Sequence, residues 1–285
     1  MTSLPKPKLI LFDVGGVCVL SPFQAILEYE LNLDIPRGWI NTTISKSAPN
    51  GYWHRLERGE IPLDNAFFHG FSADLHNAAH WSAFCQRQNA QASTALTLAP
   101  DSPPPQIDAQ KLFNAMVEPS AMPDPWMYPA LQALRASGQF LIGALSNTVK
   151  FPTAHVLSKS DVGANAVRSW FHFFVSSAHV GMRKPEPEIY MLALEQANEV
   201  LEQRQATGKG EGLAAGPIVP SDILFLDDIG ENLRAARAQG FRTLKVSLGR
   251  TYEAVDELER ITGLKLAGSH PREPVTPQLR ARAKI

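Results

Sequence analysis

Short runs of consecutive apolar residues recur along the chain, bounded by polar residues, glycine or proline. Runs of this length are typical of strands that are buried on both faces of a sheet. Helical periodicity separates the later runs, at residues 126–137, 186–203 and 231–239. The runs that we interpret as strands cover residues 9–14, 140–145, 171–176, 223–226 and 243–246.

Glycines mark the ends of two of these predicted helices, since Gly138 and Gly240 stand where helix C-termini prefer glycine. Strands that alternate with helices imply right-handed crossovers and a parallel sheet covered by helices on both faces. We therefore expect an α/β fold with a doubly wound, Rossmann-like core. In such sheets, ligands bind at the carboxyl ends of the strands.

About a hundred residues after the first predicted strand contain no clear buried strand. Ser21 and Pro22 favour a helix start, with serine as the cap and proline in the first turn. Further helical patterns indicate a helical cap domain inserted into the core. The predicted boundaries are 1–20 and 116–265 for the core, 21–115 for the cap and 266–285 for a flexible C-terminal tail.

Composition narrows the class of protein. Hydrophobic residues make up 44% of the chain, charged residues 19%, and the formal net charge is -1, so no basic field favours nucleic acid or an anionic membrane. No apolar run approaches the roughly 18 residues of a membrane span. Two cysteines are too few for a disulfide framework, which fits a reducing, cytoplasmic location. The terminal Ala283-Lys284-Ile285 resembles variants of a peroxisomal signal, which leaves that location open.

Polar residues follow four of the predicted strands, and the first two sites suit an anionic ligand. Asp13 closes the first apolar run, and Gly15 and Gly16 follow it, so that the backbone can approach a ligand beside the carboxylate. Ser146 and Asn147 follow the second run, and their hydroxyl and amide groups suit phosphate oxygens. Each motif alone also fits an ordinary turn after a strand.

The other two sites add a cation and a pair of carboxylates. Lys184 precedes a helix whose start is fixed by prolines, and a compact cation there would hold a carboxylate nucleophile and a phosphate together. Asp227 and Asp228 follow a buried strand, where adjacent carboxylates are costly without a positive charge. Magnesium prefers hard oxygen ligands of this kind. We therefore predict a Mg²⁺ site at this edge of the sheet.

In their order along the chain, these motifs resemble the phosphatase branch of the haloacid dehalogenase (HAD) superfamily. Within that branch, the N-terminal phosphatase domain of soluble epoxide hydrolases and the bacterial glucose-1-phosphate phosphatases are the most similar groups. The resemblance covers residues 8 to about 250 apart from two loops. The motifs that carry it are Asp13-Val14-Gly15-Gly16-Val17, Ser146-Asn147-Thr148, Lys184-Pro185-Glu186-Pro187 and Asp227-Asp228.

The resemblance implies a Mg²⁺-dependent phosphatase that acts on a small phosphorylated metabolite. Asp13 would be the nucleophile, forming an aspartyl-phosphate that water hydrolyses, with Lys184 as the second catalytic residue. Such a step divides one difficult reaction into two easier ones. The resemblance assigns the metal to Asp13, the carbonyl of Gly15 and Asp228, and the water shell of the metal to Asp227 and Asn232. It assigns the phosphoryl group to Ser146, Asn147, Lys184, Gly15 and Gly16.

Gly15 departs from the pattern of the family. Most family phosphatases carry a second aspartate at this position, which serves as general acid and base. Losing a general acid typically costs about 10²–10⁴ in rate. Two explanations stay open at this point. Either the substrate has an activated leaving group, or the cap lends a proton donor, for which His54 and Glu57 are candidates.

Other functions are compatible with parts of the pattern. One is a binding or regulatory protein that keeps the fold and has lost turnover. Another is a metal-independent 2-haloacid dehalogenase, against which the pair Asp227-Asp228 argues. A zinc site on His69, His76 and His80 lacks the glutamate of the paired-histidine motif. We expect neither a nucleic acid nor a membrane partner, and the sequence leaves a homodimer open.

Overall fold

The computed structural model describes residues 5–91, 98–159, 167–210 and 212–277, so the terminal Ala283-Lys284-Ile285 lies outside the described residues. Five strands form one parallel sheet in the order β3-β2-β1-β4-β5. This arrangement confirms the predicted α/β fold. The strands are β1 (Leu9–Phe12), β2 (Leu141–Ser146), β3 (Phe173–Ser176), β4 (Ile223–Asp227) and β5 (Arg242–Lys245).

The register of the central strands brings the chemistry-bearing residues to one level. Phe12, the last residue of β1, pairs with Ala144 of β2 and with Leu226 of β4. The N–H of Asp13 continues the ladder by donating to the carbonyl of Leu226 at 2.8 Å. Because all the strands run in the same direction, the polar residues that end β1, β2 and β4 meet at one edge of the sheet.

Six helices in the described residues between β1 and β2 enclose a hydrophobic cluster of their own, which contains Trp39 and Trp81. Ser21 caps the first helix, as predicted, by accepting a hydrogen bond from the N–H of Phe23 at 3.1 Å. The helix of residues 109–117 runs across the predicted boundary at 115/116, and the division into domains stays a prediction. The insertion comprises α1 (Pro22–Asn32), α2 (Trp39–Lys46), α3 (Tyr52–Glu57), α4 (Asn65–Leu75), α5 (Ala78–Gln91) and α6 (Ala109–Val117).

Helices cover both faces of the sheet, so β1 is buried on each side. Ile10 and Phe12 pack with the helices of residues 127–137 and 251–262, whereas Leu9 and Leu11 pack with the helices of residues 187–206 and 230–238. This two-sided burial explains why the strands are nearly continuous apolar runs. The helices of the core are α7 (Met127–Ser137), α8 (Ser177–Val180), α9 (Pro187–Ala206), α10 (Gly230–Ala238) and α11 (Thr251–Thr262).

The segment that we predicted to be a flexible tail lies against the core over its described part, residues 266–277. Leu266 is buried, and the N–H groups of Leu266 and Ala267 donate to Glu259 Oε1 at 2.7 and 2.9 Å. The indole N–H of Trp126 donates to the carbonyl of Pro271 at 2.9 Å. Polar groups of the core thus bond to part of this segment, and its description as a flexible tail stays a prediction.

In the described parts of the chain, none of the helices has both the length and the apolar character needed to cross a bilayer.

Candidate active site

Lys184 lies at the carboxyl edge of the sheet, between the residues that end β1 and β4. Its Nζ is 2.9 Å from Asp13 Oδ1 and 2.7 Å from Asp227 Oδ2, and its side chain is fully buried. A buried ammonium is tolerated only when it is paired and hydrogen-bonded. The structure therefore brings three of the predicted site residues into direct contact.

Asn147 holds the backbone of Lys184 in place. Its side-chain amide donates to the carbonyl of Lys184 at 3.0 Å and accepts from the N–H of the same residue at 2.8 Å. The amide that we predicted to bind phosphate is thus engaged with the lysine segment. Ser146 lies at the end of β2, where it is buried and its hydroxyl donates weakly to the carbonyl of Asn147 at 3.4 Å.

Hydrogen bonds occupy both oxygens of Asp227, which is fully buried. Oδ1 accepts from the N–H of Ile229 at 2.7 Å and from the amide of Asn232 at 3.1 Å. Oδ2 accepts from Lys184 and, at 3.1 Å, from the same amide of Asn232. The side chain of Asn232 therefore bonds to Asp227 itself, and this carboxylate orients Lys184.

Asp228 differs from Asp227 in having an unsatisfied oxygen. Its Oδ1 is buried and has no hydrogen-bond partner among the described residues. One carboxylate oxygen from each of Asp13, Asp227 and Asp228 lies within 4.8 Å of the other two. We call these three residues the aspartate cluster. An unpartnered buried carboxylate oxygen is costly, and it fits a position where a cation binds.

The charges of the site do not balance. The aspartate cluster carries three negative charges when ionised, and Lys184 supplies one positive charge. Burial and the charge of Asp227 raise the pKa of Asp13 to about 7, although Lys184 opposes this. Burial and both neighbouring carboxylates raise the pKa of Asp228 well above its ordinary value. When all three carboxylates are ionised, their charge exceeds that of Lys184 by two, and the raised pKa values reflect this excess; a divalent cation would neutralise it.

Gly15 and Gly16 have opposite tolerance for a side chain. Gly16 has a φ of 76°, and a Cβ at this position would overlap Oδ2 of Asp228. Its N–H donates to the carbonyl of Val19 at 3.0 Å, so Gly16 contributes space for Asp228. A Cβ on Gly15 would meet only Pro22 Cδ, at 3.8 Å, which is an ordinary contact.

The two residues of the insertion considered as proton donors have other surroundings. Glu57 Oε2 accepts a hydrogen bond from Arg183 Nε at 2.8 Å, in a largely buried ion pair. His54 is buried, and its Nδ1 has no partner among the described residues. Burial, with Arg183 nearby, lowers the pKa of His54 to about 4, so the imidazole is neutral at pH 7.

A second contact joins the insertion to the loop after β2. The hydroxyl of Ser177 donates to the carbonyl of Glu57 at 2.6 Å and accepts from the N–H of Thr148 at 2.8 Å. Arg183 and Ser177 are the site residues that we did not predict. Arg183 had a signal, since it adjoins Lys184, but Ser177 looks like any serine after a strand.

The histidines weighed as a zinc site bond within the insertion. His76 Nε2 accepts from the N–H of Ile107 at 3.0 Å, so its Nδ1 donates to the carbonyl of Ser72 at 2.7 Å. His69 Nδ1 is 2.9 Å from the carbonyl of Asn65. Among the described residues, the group that is close enough to hold a metal is the aspartate cluster.

Known proteins match most of this chain. It is 27% identical over 261 residues to bifunctional epoxide hydrolase 2 of Sus scrofa, a match that covers 90% of this chain and 39% of that protein. This match agrees with the resemblance that the motifs indicated. By its motifs and by this match, the chain is similar to the HAD superfamily. Acyl-CoA dehydrogenase family member 10 of Mus musculus is 27% identical over 260 residues, covering 91% of this chain and 19% of that protein.

The chain therefore spans well under half the length of these curated relatives. No family model matches the chain. Among solved structures, a HAD family enzyme of Bacteroides thetaiotaomicron in complex with magnesium and inorganic phosphate is 17% identical with a TM-score of 0.42, over 85% of this chain and 96% of that one. A dehalogenase is 14% identical with a TM-score of 0.48, over 90% and 97%.

Proposed function

We propose that this HAD superfamily hydrolase is a magnesium-dependent phosphatase that attacks a small phosphorylated metabolite with the carboxylate of Asp13. One observation carries the proposal. Lys184 bridges Asp13 and Asp227, and Asp228 adds a buried oxygen without a partner, so the ionised cluster carries two more negative charges than Lys184 balances. A divalent cation restores the charge balance of such a site and adds positive charge beside the position of a phosphate.

The donor set fits Mg²⁺, which binds few carboxylates and completes its shell with water and phosphate oxygens. Asp13, Asp228 and the backbone carbonyl of Gly15 would hold the ion. When bound, the ion would neutralise negative charge on the carboxylates and on the phosphoryl group. The unpartnered oxygen of Asp228 supports this assignment, and so does Gly16, which leaves room for that carboxylate.

Asp13 is held in a fixed orientation for attack. Its Oδ1 accepts from the N–H of Val14 at 2.7 Å and from Lys184 at 2.9 Å. We therefore infer that Oδ2 attacks phosphorus, forms the new P–O bond and displaces the leaving-group oxygen with its electron pair. Lys184, itself fixed by Asn147 and Asp227, would stabilise the charge that spreads over the phosphoryl oxygens.

Water completes the cycle. Its oxygen attacks the phosphorus of the aspartyl-phosphate, the bond to Asp13 breaks, and the carboxylate and inorganic phosphate are released. The insertion would act as a cap that excludes other water during the first step. Its contacts with the core through Glu57, Arg183 and Ser177 place one edge of the insertion beside the Lys184 segment, which supports that role.

The test is hydrolysis of 4-nitrophenyl phosphate by the full chain, with and without Mg²⁺. We expect phosphate release that depends on Mg²⁺, stops with a chelator and falls at least about 10³-fold in Asp13→Asn. Brief incubation with substrate followed by hydroxylamine should convert Asp13 to a hydroxamate that mass spectrometry detects.

Two results would contradict the proposal. Phosphate release that is unchanged in Asp13→Asn would show that another group attacks. Halide release from a 2-haloacid in the presence of chelator, without phosphatase activity, would assign the site to the alternative dehalogenase reaction.

A further inference from the structure

We propose that the leaving group of the substrate departs without taking a proton from the protein, so that the substrate is an acyl phosphate, a phosphoanhydride or an anomeric sugar phosphate. The inference rests on the proposed function and names its substrate class. These three kinds of phosphate share a leaving oxygen that is stable as an anion. An ordinary alkyl phosphate, in contrast, would expel an alkoxide, which requires a general acid.

The acidic groups beside the phosphoryl position are already engaged. Asp227 accepts hydrogen bonds on both oxygens, which come from Lys184, Asn232 and the N–H of Ile229. Asp228 is the carboxylate that we assign to the cation. The Lys184 ammonium donates to two carboxylates. None of these groups is free to give a proton to a leaving oxygen.

The neutral donors at the site are also committed. The thiol of Cys18 is buried and donates to the backbone carbonyl of Asp13 at 3.3 Å. The hydroxyl of Thr148 is 2.6 Å from that of Ser176, whose oxygen is in turn 2.7 Å from Nδ1 of His179. These bonds fix the loops after β2 and β3.

The insertion offers no replacement from the two residues that we considered. The carboxylate of Glu57 is committed to its ion pair with Arg183 at 2.8 Å. His54 is neutral at pH 7 because burial lowers its pKa to about 4, so it has no imidazolium proton to give. Of the two explanations for Gly15, the described residues favour the activated leaving group.

Gly15 itself is the position from which a donor is missing. It adjoins Val14, whose N–H bonds to the carboxylate of Asp13, and its Cβ direction is open apart from Pro22 Cδ at 3.8 Å. A side chain therefore fits there, in contrast to Gly16. Space for an acid exists at this position, but the chain has none.

The proton balance of the proposed reaction follows from this arrangement. As Asp13 Oδ2 bonds to phosphorus, the P–O bond to the leaving group breaks and its electron pair leaves as a carboxylate, phosphate or hemiacetal anion. That anion takes a proton from solvent after release, if it takes one at all. The attacking water in the second step loses its protons to inorganic phosphate and solvent.

The experiment measures kcat/KM of the full chain with Mg²⁺ for aryl phosphates of increasing leaving-group pKa. It adds acetyl phosphate, pyrophosphate and the matched pair glucose 1-phosphate and glucose 6-phosphate. The parameter is kcat/KM because kcat also contains hydrolysis of the aspartyl-phosphate, which is common to all substrates. We expect a steep fall with leaving-group pKa and a preference for glucose 1-phosphate over its 6-phosphate isomer. The best substrate among acetyl phosphate, pyrophosphate and glucose 1-phosphate identifies the leaving group.

Gly15→Asp supplies the missing acid, and Gly15→Asn is its matched control of equal size. The ratio of kcat/KM between 4-nitrophenyl phosphate and glucose 6-phosphate should shrink by about 10²–10⁴ in Gly15→Asp and stay large in Gly15→Asn. A flat dependence in the natural chain would overturn the inference and leave the phosphatase intact. An unchanged ratio in Gly15→Asp would overturn the assignment of the missing acid to this position. Absence of Asp13-dependent hydrolysis of every phosphate would instead overturn the proposed function.

Discussion

Neutralising Asp228 should stabilise the metal-free protein while abolishing its response to Mg²⁺. In Asp228→Asn one of three clustered carboxylates loses its charge, with oxygens that lie within 4.8 Å of one another. At an effective dielectric constant of 20, two unit charges at that distance repel by roughly 3.5 kcal/mol. The attraction between Asp228 and Lys184 offsets part of this repulsion, and so does the raised pKa of Asp228, because partial protonation already reduces its charge. We expect a net gain of about 1–3 kcal/mol, which raises Tm by roughly 2–10 °C.

Mg²⁺ should reverse the order of the two proteins. At a Mg²⁺ concentration of about 100 times Kd, binding stabilises the natural chain by about 2.7 kcal/mol. Asp228→Asn loses a charged ligand whose Oδ1 has no protein partner, so its Tm should not respond to Mg²⁺. The two effects have opposite signs, which separates a metal ligand from a residue needed only for folding.

Differential scanning calorimetry at pH 8.0 measures both effects, with chelator or with Mg²⁺. Asp256→Asn is the control, because Asp256 pairs with Arg272 at 2.7 Å on the surface and should change Tm little in either condition. The reasoning is refuted if Asp228→Asn lowers Tm in chelator, or if it keeps the Mg²⁺-dependent rise of the natural chain.

Three further changes test other parts of the structure. Glu57→Gln breaks the ion pair between the insertion and the core, and it should lower kcat by roughly 10–100-fold with little change in KM. Glu60→Gln, which changes a more exposed ion pair, should leave kcat nearly unchanged. Steady-state kinetics of the two variants measure this difference. Gly16→Ala should abolish the Mg²⁺-dependent rise in Tm, because the added Cβ overlaps Oδ2 of Asp228. Gly38 also has a positive φ, 84°, but has open space around it, so Gly38→Ala should lower the free energy of unfolding in urea by only about 1 kcal/mol. The pKa of His54 is about 4 in the folded protein and 6.5 in the unfolded chain, so the unfolded chain binds more protons between these pH values. The free energy of unfolding should therefore fall by up to about 3 kcal/mol as the pH drops from 6.5 to 4. Urea unfolding at several pH values should show a smaller fall in His54→Gln.

The sheet was predictable because both of its faces are buried. Burial on both sides makes a strand a run of apolar residues, and β1 and β4 are read from such runs. The parallel arrangement then follows from the helices between them, and with it the convergence of Asp13, Ser146 and Asp228. The sequence pattern placed edge strand β5 one residue too late, because Arg242 is only partly buried and Lys245 is exposed, so the strand lacks a continuous apolar run.

Helix α2 shows what the sequence could not reveal. Its residues include Ile and Thr, which do not favour a helix, and its N-terminus follows Gly38 without a side-chain cap. The carboxylate of Glu30, buried in α1, accepts from the N–H groups of Gly38 at 2.7 Å and Ile40 at 2.9 Å. Eight and ten residues separate these partners in sequence, so the cap exists only once α1 and α2 pack together.

The contacts of the insertion with the candidate site were equally hidden. Ser177 and Arg183 bond to Glu57 across 120 and 126 residues of sequence, and no local pattern marks such partners. Their arrangement links the insertion to the lysine by two routes. One passes through Arg183 to the adjacent Lys184, and the other through Ser177 to Thr148, beside the Asn147 that clamps the lysine backbone.

These two routes suggest how the position of the Lys184 ammonium can depend on whether substrate or only water occupies the site. Ion pairs with Asp13 and Asp227 hold the ammonium of Lys184. Asn147, in a loop that the insertion also contacts, holds its backbone. In the proposed mechanism, a phosphate that orders the insertion would therefore also fix the ammonium that stabilises the phosphoryl group. Water alone makes no such contacts with the insertion. Binding energy from the rest of the substrate would thus be converted into positioning at the reacting centre, which raises kcat rather than lowering KM.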